Sequence, residues 1–192
     1  MPDIDHYCRV YDDFLEHSDC DEYVEKFEET ITVDAERHRE LSVCYREDGS
    51  MICGQCDCMR TNPMEYPRFH DLNIRLMDKW MEAVERYKED CGITEYHWPA
   101  EYGFEQYRMK RYLPNNKDQF KAHVDVQNYD TARRFLVFFL YCSNNEAGQT
   151  VFNDMDINVS CSKATLLMFP PLWPYLHSGA KPINTPKMLI KC

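Results

Sequence analysis

The residues best placed to do chemistry stand in the second half of the chain. His123-Val124-Asp125 sets an imidazole and a carboxylate two positions apart, and in a strand such residues project from one face. Phe120, Val124 and Val126 around them suit a strand. A third ligand has to come from elsewhere, and His177, in the β-like run Tyr175-Leu176-His177-Ser178, is the best candidate. Two histidines and one carboxylate occupy one face of an octahedron and leave the other positions open, the arrangement of non-haem Fe(II) oxygenases. Zinc accepts the same donors plus water, so donor identity alone leaves the metal open. Lys187 follows His177 by ten residues, beyond Lys181-Pro182 and the turn Asn184-Thr185-Pro186. If these segments are neighbouring strands, its ammonium points into the same cavity and needs an anion there. A dicarboxylate held at one end by the metal would supply that anion from the other. Lys181 is a rival, although its place beside a turn favours exposure.

Such a site needs strands behind it. Short β-like runs are expected at about 104–112, 119–128, 133–142, 164–169, 174–179 and 187–191, separated by turn residues such as Pro114-Asn115-Asn116 and Ser143-Asn144-Asn145. The first half reads as mainly helical. Arg9 to Leu15 suggests a strand entering a turn, and Ser18 or Asp19 could cap a helix over about 19–30. A longer helix is expected at about 69–91, where Leu72, Leu76, Trp80, Val84 and Tyr87 recur at helical spacing before Gly92. Helices followed by strands predict an α+β fold whose strands close into a sandwich or jelly roll.

Composition narrows the partners. The 192 residues carry 22 basic and 33 acidic side chains, a formal charge of −11, which would repel nucleic acid and anionic membranes. An aromatic share of 14% argues against disorder. The longest apolar run, Phe135 to Cys142, is far short of a membrane span. The start, Met1-Pro2-Asp3-Ile4-Asp5-His6, lacks the pattern of a signal peptide. The expectation is therefore a cytoplasmic chain, in the host cytoplasm if virus-encoded. Six glycines and no repeat leave little room for a linker, so residues 1–192 read as a single domain: helical support and lid over 1–100, jelly-roll core over 101–192.

His123-x-Asp125, then His177, then a lysine ten residues on resemble the 2-oxoglutarate- and Fe(II)-dependent dioxygenases. The likeness is to the prolyl 4-hydroxylase-like branch, and within it to short single-domain members of the kind bacteriophages encode. It runs through most of the chain. Val10-Tyr11-Asp12-Asp13-Phe14-Leu15 is similar to the branch's first strand, and Arg111-Tyr112 with Phe120 to the approach to its first iron ligand. Thr131 to Tyr141 resembles its central strand, Gly148-Gln149-Thr150-Val151-Phe152 its Gly-Gly-Glu-Thr turn, and Leu166-Leu167-Met168-Phe169-Pro170 with His177-Ser178-Gly179 the strand of the second histidine.

The resemblance implies a double-stranded β-helix, a distorted jelly roll, braced by the N-terminal helices. It implies Fe(II) on His123, Asp125 and His177, with 2-oxoglutarate as cosubstrate and Lys187 on its far carboxylate. Tyr112 matches a tyrosine that reaches the cosubstrate. Dioxygen is the oxidant and ascorbate (vitamin C) an accessory reductant. The reaction would convert 2-oxoglutarate to succinate and carbon dioxide while hydroxylating a C–H bond, most simply of a prolyl residue in a peptide or protein. The alternatives are the same chemistry on a free amino acid or other small molecule, and a non-catalytic metal-binding jelly roll. Asp125 itself argues against the halogenating branch, where a small residue stands in its place.

Cys53-Gly54-Gln55-Cys56-Asp57-Cys58 has spacing that can bind zinc, with Cys44, His38 or His70 as a fourth ligand. Free thiols in a mobile loop near the active site are the competing and preferred reading, and a disulfide is the third. Trp173 and Tyr175 either wall the substrate pocket or pack at the barrel mouth. Arg133 and Arg134 are expected to begin a strand, where a structural ion pair is more plausible than a substrate contact.

Overall fold

The computed structural model describes the backbone of residues 4–33, 35–45 and 51–192, and the side chains of 5–33, 35–38 and 58–192. Strand β1 (Arg9–Tyr11) leads through a turn, with Asp13 at φ 50°, into helix α1 (His17–Val33) and the short α2 (Ala35–His38). The hairpin β2 (Arg39–Tyr45) and β3 (Met51–Thr61) precedes helix α3 (His70–Cys91). The remaining strands are β4 (Arg108–Tyr112), β5 (Gln119–His123), β6 (Val137–Tyr141), β7 (Asn145–Phe152), β8 (Ile157–Cys161), β9 (Leu166–Phe169), β10 (His177–Gly179) and β11 (Lys187–Lys191).

Every strand pairing is antiparallel. One layer runs β1-β9-β6-β11-β4-β3 and the other β5-β10-β7-β8. The long β3 belongs to both, since Met59–Thr61 pair with β4 while Cys56 and Asp57 pair with β5. The fold is α+β, a double-stranded β-helix braced by N-terminal helices.

Two cores follow from the period-two alternation of strands. On the outer face of the first layer, Phe138, Leu140, Leu166, Met168, Met188 and Ile190 pack against the helices. Between the layers lie Val137, Phe139, Tyr141, Leu167, Phe169 and Leu189, facing Phe152, Val159 and Cys161 of the second layer. Strands covered on both faces read as continuous apolar runs, which is why β6 is buried at every position. The stripe Leu72, Leu76, Trp80, Val84 and Tyr87 of α3 meets the outer core. Gly92 stops that helix in the left-handed region at φ 65°, and Ile93 N–H donates to Lys88 O at 2.8 Å.

Several boundaries differ from expectation. Helix α1 starts at His17, so Ser18 and Asp19 lie inside its first turn instead of capping it; the Glu16 carbonyl accepts from Asp19 and Cys20. Arg133 and Arg134 stand in the turn before β6 and do not begin a strand. The run 119–128 ends as a strand at His123, because the Asp125 and Val126 amides leave the ladder for Pro171 O, both at 3.2 Å. In the run 174–179 only His177–Gly179 is strand, since Trp173–Tyr175 close a 3-10 turn led by prolines. The Gly148–Phe152 stretch lies within β7, where β10 and β8 pair with it from either side. The segment with Cys53, Cys56 and Cys58, read as a loop, is the backbone of β3. The side chains of Cys44, Cys53 and Cys56, and with them the zinc reading, lie outside the described residues; Cys58 is buried.

Candidate metal centre and its outer cleft

The strand pairing builds the site. His123 at the end of β5 and His177 at the start of β10 are direct cross-strand partners, so their rings share one face, with centroids 4.4 Å apart. Asp125 is swung in beside them by the turn after β5. That turn is held by the two amide bonds to Pro171 O and by Arg134, whose Nη1 donates to Asp125 O at 3.0 Å. His123 Nε2 lies 3.7 Å from Asp125 Oδ1, and His177 Nε2 lies 3.8 Å from Asp125 Oδ2. Among the described residues this is the sole cluster of metal-ligating groups whose donor atoms all fall within 4.8 Å of one another.

The donors are poised by their surroundings. His123 Nδ1 pairs with Lys121 O at 2.8 Å and His177 Nδ1 with Tyr175 O at 3.0 Å. A carbonyl can only accept, so in each ring Nδ1 carries the proton and Nε2 keeps its lone pair. Phe139, Phe152 and Phe169 surround the His177 ring at 5.7, 5.8 and 4.8 Å. Burial there pushes the imidazole down to about 4, against the pull of Asp125, so it is neutral at ordinary pH. Burial alone would raise the Asp125 carboxyl. Lys191, with His123 and His177, outweighs it and holds the group well below the usual carboxylate range.

His123 Nε2, His177 Nε2 and Asp125 Oδ2 are all buried without a hydrogen-bond partner. Orphaned buried polar atoms cost about 1–3 kcal/mol each, and three converging on one point fit a cation that would satisfy them together. The second carboxylate oxygen, Asp125 Oδ1, is engaged by Lys191 Nζ. Lys191 therefore leaves one oxygen of Asp125 for a metal, which would keep coordination monodentate and positions open for other ligands.

The cavity beside this cluster is lined by Tyr112, Thr150, Lys187, Lys191, Lys110 and Gly179, among others. Lys187 is 3% exposed, and burial pushes its ammonium down to about 8. Its Nζ stands 5.4 Å from the centre of the Tyr141 ring, whose hydroxyl bonds Thr150 at 2.6 Å. Two glycines make room for it. A Cβ on Gly148 would sit 3.1 Å from Lys187 Cδ, and one on Gly179 3.6 Å from Nζ. Tyr112 is the direct cross-strand partner of Lys187. The free volume is about 30 Å³, room for about one water, so a diacid would enter only if the side-chain tips around it part. Lys181 is on the surface, donating to Asn116 O at 2.6 Å.

Outside the centre, Arg134 holds Glu105 through two bonds, at 3.0 and 2.9 Å, while gripping Asp125 O. Trp173 is 78% exposed and so does not pack at the barrel mouth, whereas Tyr175 is buried in the inner core. Lys191 and Lys110 went unnoticed in the sequence. Lys191 shares the face of Lys187 by strand alternation, four residues on, and that spacing was a readable signal.

No family model matches the sequence, and no curated protein sequence matches it. Solved structures do. The viral collagen prolyl hydroxylase of Paramecium bursaria Chlorella virus-1, in complex with 2-oxoglutarate, is 18% identical with a TM-score of 0.62, over 96% of this chain and 93% of its own. A prolyl-4-hydroxylase of Pseudomonas putida is 14% identical with a TM-score of 0.59, over 97% and 90%. A prolyl hydroxylase of Trichoplax adhaerens, in complex with a peptide fragment of the hypoxia inducible factor oxygen degradation domain, is 14% identical with a TM-score of 0.67, over 97% and 82%. At such identities the likeness is one of fold, and the fold of this chain is that of the prolyl hydroxylases along nearly its whole length.

Proposed function

We propose that the chain is an Fe(II)- and 2-oxoglutarate-dependent dioxygenase that hydroxylates a prolyl residue in a peptide or protein. Support comes first from one observation: three buried, unpartnered donor atoms of His123, Asp125 and His177 converge in a cavity that also holds the buried ammonium of Lys187. Apolar packing explains neither feature. A metal and a diacid together explain both, and the prolyl hydroxylase fold adds to the case.

Each residue then has a task. His123, Asp125 and His177 would hold the metal on one face, and Lys191 keeps Asp125 to one donor oxygen. Lys187 would pair with the far carboxylate of 2-oxoglutarate, with Thr150 and Tyr112 beside it. The phenylalanines around His177 keep water from that side of the centre. Bound iron supplies the activation of dioxygen, coupled to decarboxylation of 2-oxoglutarate to succinate. Ascorbate serves as reductant. No helix among the described residues is long and apolar enough to cross a membrane.

The test is turnover. Protein supplied with Fe(II), 2-oxoglutarate, ascorbate and a panel of proline-containing peptides should release succinate and add one oxygen atom to a proline ring. Succinate without a peptide product would remove the prolyl assignment. No succinate with any peptide or amino acid would remove the dioxygenase itself.

A further inference from the structure

We propose that the cleft outside the metal centre takes an acidic segment of the substrate polypeptide, flanking the residue that reacts; this rests on the dioxygenase reading above. The cleft has a volume of about 560 Å³, on the scale of a ligand site. Lys191 lines both this cleft and the inner cavity. Arg134 and Lys191, two of its lining residues, both contact Asp125, so a chain lying in it would touch side chains that touch the metal ligand.

Charge gives the sign of the occupant. The walls carry Arg108, Arg133, Arg134 and Lys191 against Glu101 and Glu105, a cationic surplus on a protein whose net charge is −11. The inner members are already matched, Arg134 by Glu105 and Lys191 by Asp125. Arg108 and Arg133 make no ion pair within 4.0 Å among the described residues, although both are near enough to Glu105 to help hold its carboxyl down, and Arg133 is exposed. A cationic groove on an acidic molecule would draw an acidic partner to this face and repel it elsewhere.

Backbone and aromatic groups point to a polypeptide. Along one wall, residues 99–106 form no strand or helix and make no backbone–backbone hydrogen bond among the described residues. Apart from Glu105 O, which accepts from Cys192 Sγ at 3.3 Å, and Pro99, which has no amide N–H, their backbone groups are not engaged by other backbone and could pair with an added extended chain. Trp98, Tyr102 and Phe135 cluster edge-to-face, with centroids 5.0 Å apart for Trp98 and Phe135 and 5.7 Å for Trp98 and Tyr102. Amphipathic rings beside arginines suit a peptide surface.

The experiment is equilibrium binding of fluorescein-labelled peptides, followed by anisotropy. Three peptides share one proline and differ in flanks of glutamate, glutamine or lysine. The glutamate peptide should bind tightest and weaken with salt. The Arg108→Gln/Arg133→Gln double variant should weaken it about tenfold, while Lys79→Gln on the far helix face leaves it as it was. Arg133→Glu should shift preference toward the lysine peptide, a gain that misfolding cannot mimic. Equal binding of all three peptides overturns the proposal. So does concentration-dependent self-association that the arginine variants dissolve, which would give the cleft to a second copy of this chain. Succinate release, measured separately with the same peptides, scores the dioxygenase reading: acidic selectivity without succinate sinks the chemistry and keeps the cleft, and succinate without selectivity does the reverse.

Discussion

The two faces of β11 are built for opposite ends. Met188 and Ile190 point outward into a helix-covered core of apolar side chains. Lys187, Leu189 and Lys191 point inward, where the ammonium groups of Lys187, Lys191 and Lys110 line a cavity beside the buried cluster of two imidazoles and a carboxylate. Burying charge costs several kcal/mol per ion unless it is well paired, so the inner face costs stability that the outer face must offset. The difference separates positions that hold the fold from positions that do chemistry, although they alternate along five residues of one strand.

That division can be broken most directly at His177. His177→Ala removes a donor that is 1% exposed and should reduce metal retention by more than the roughly 10–100-fold that losing an outer-shell partner costs. Turnover should vanish, while the metal-free protein should lose less stability than in Ile190→Ala below, since loss of the orphaned Nε2 offsets part of the cost of the cavity and of the Nδ1 bond to Tyr175 O. Calorimetric metal titration and a thermal melt check both halves, and normal metal affinity in this variant would take His177 out of the site. Ile190→Ala should do the reverse. Deleting a fully buried side chain from the outer core should cost about 2–5 kcal/mol, seen in a denaturant midpoint, with metal affinity intact in the folded fraction. Third comes Lys187→Met, which keeps the volume and deletes the charge. It should raise the 2-oxoglutarate KM about 30-fold, as a lost charged hydrogen bond of about 2 kcal/mol implies, with metal binding untouched.

The outer face was the more legible of the two in the sequence. The α3 stripe and Gly92 announce themselves by helical spacing and a stop, and β6 by its unbroken apolar run. The inner face was legible where types are rare, at His123, Asp125, His177 and Lys187, because strand period and histidine scarcity single them out. It was illegible where geometry depends on turns. The grip of Arg134 on Asp125 O crosses an irregular segment whose path no periodicity encodes. Strands β7 and β8 were missed because Asn145, Glu146, Gly148, Gln149, Asn158 and Ser160 have poor strand propensity. Pairing with β10 on one side and with each other overrides it.

The smallest expected effect is also the most specific to the inner face, because it reads the burial of Lys187 itself. Burial lowers this ammonium from 10.5 to about 8. Pairing with a carboxylate requires the charged form, so below about pH 8 the lysine is already protonated and 2-oxoglutarate affinity should be flat. As pH rises through that value, binding must first recruit a proton, and affinity should fall by up to about tenfold per pH unit. An exposed lysine would not begin that fall until near 10.5. Titrating 2-oxoglutarate against the metal-loaded protein between about pH 7 and 9.5 separates the two cases. Lys187→Met should bind more weakly throughout and lose this component of the slope. If the slope persists in Lys187→Met, the titrating group is another member of the cavity. If the wild-type affinity stays flat, the ammonium does not meet the diacid, and the inner face of β11 loses the role that sets it apart from the outer one.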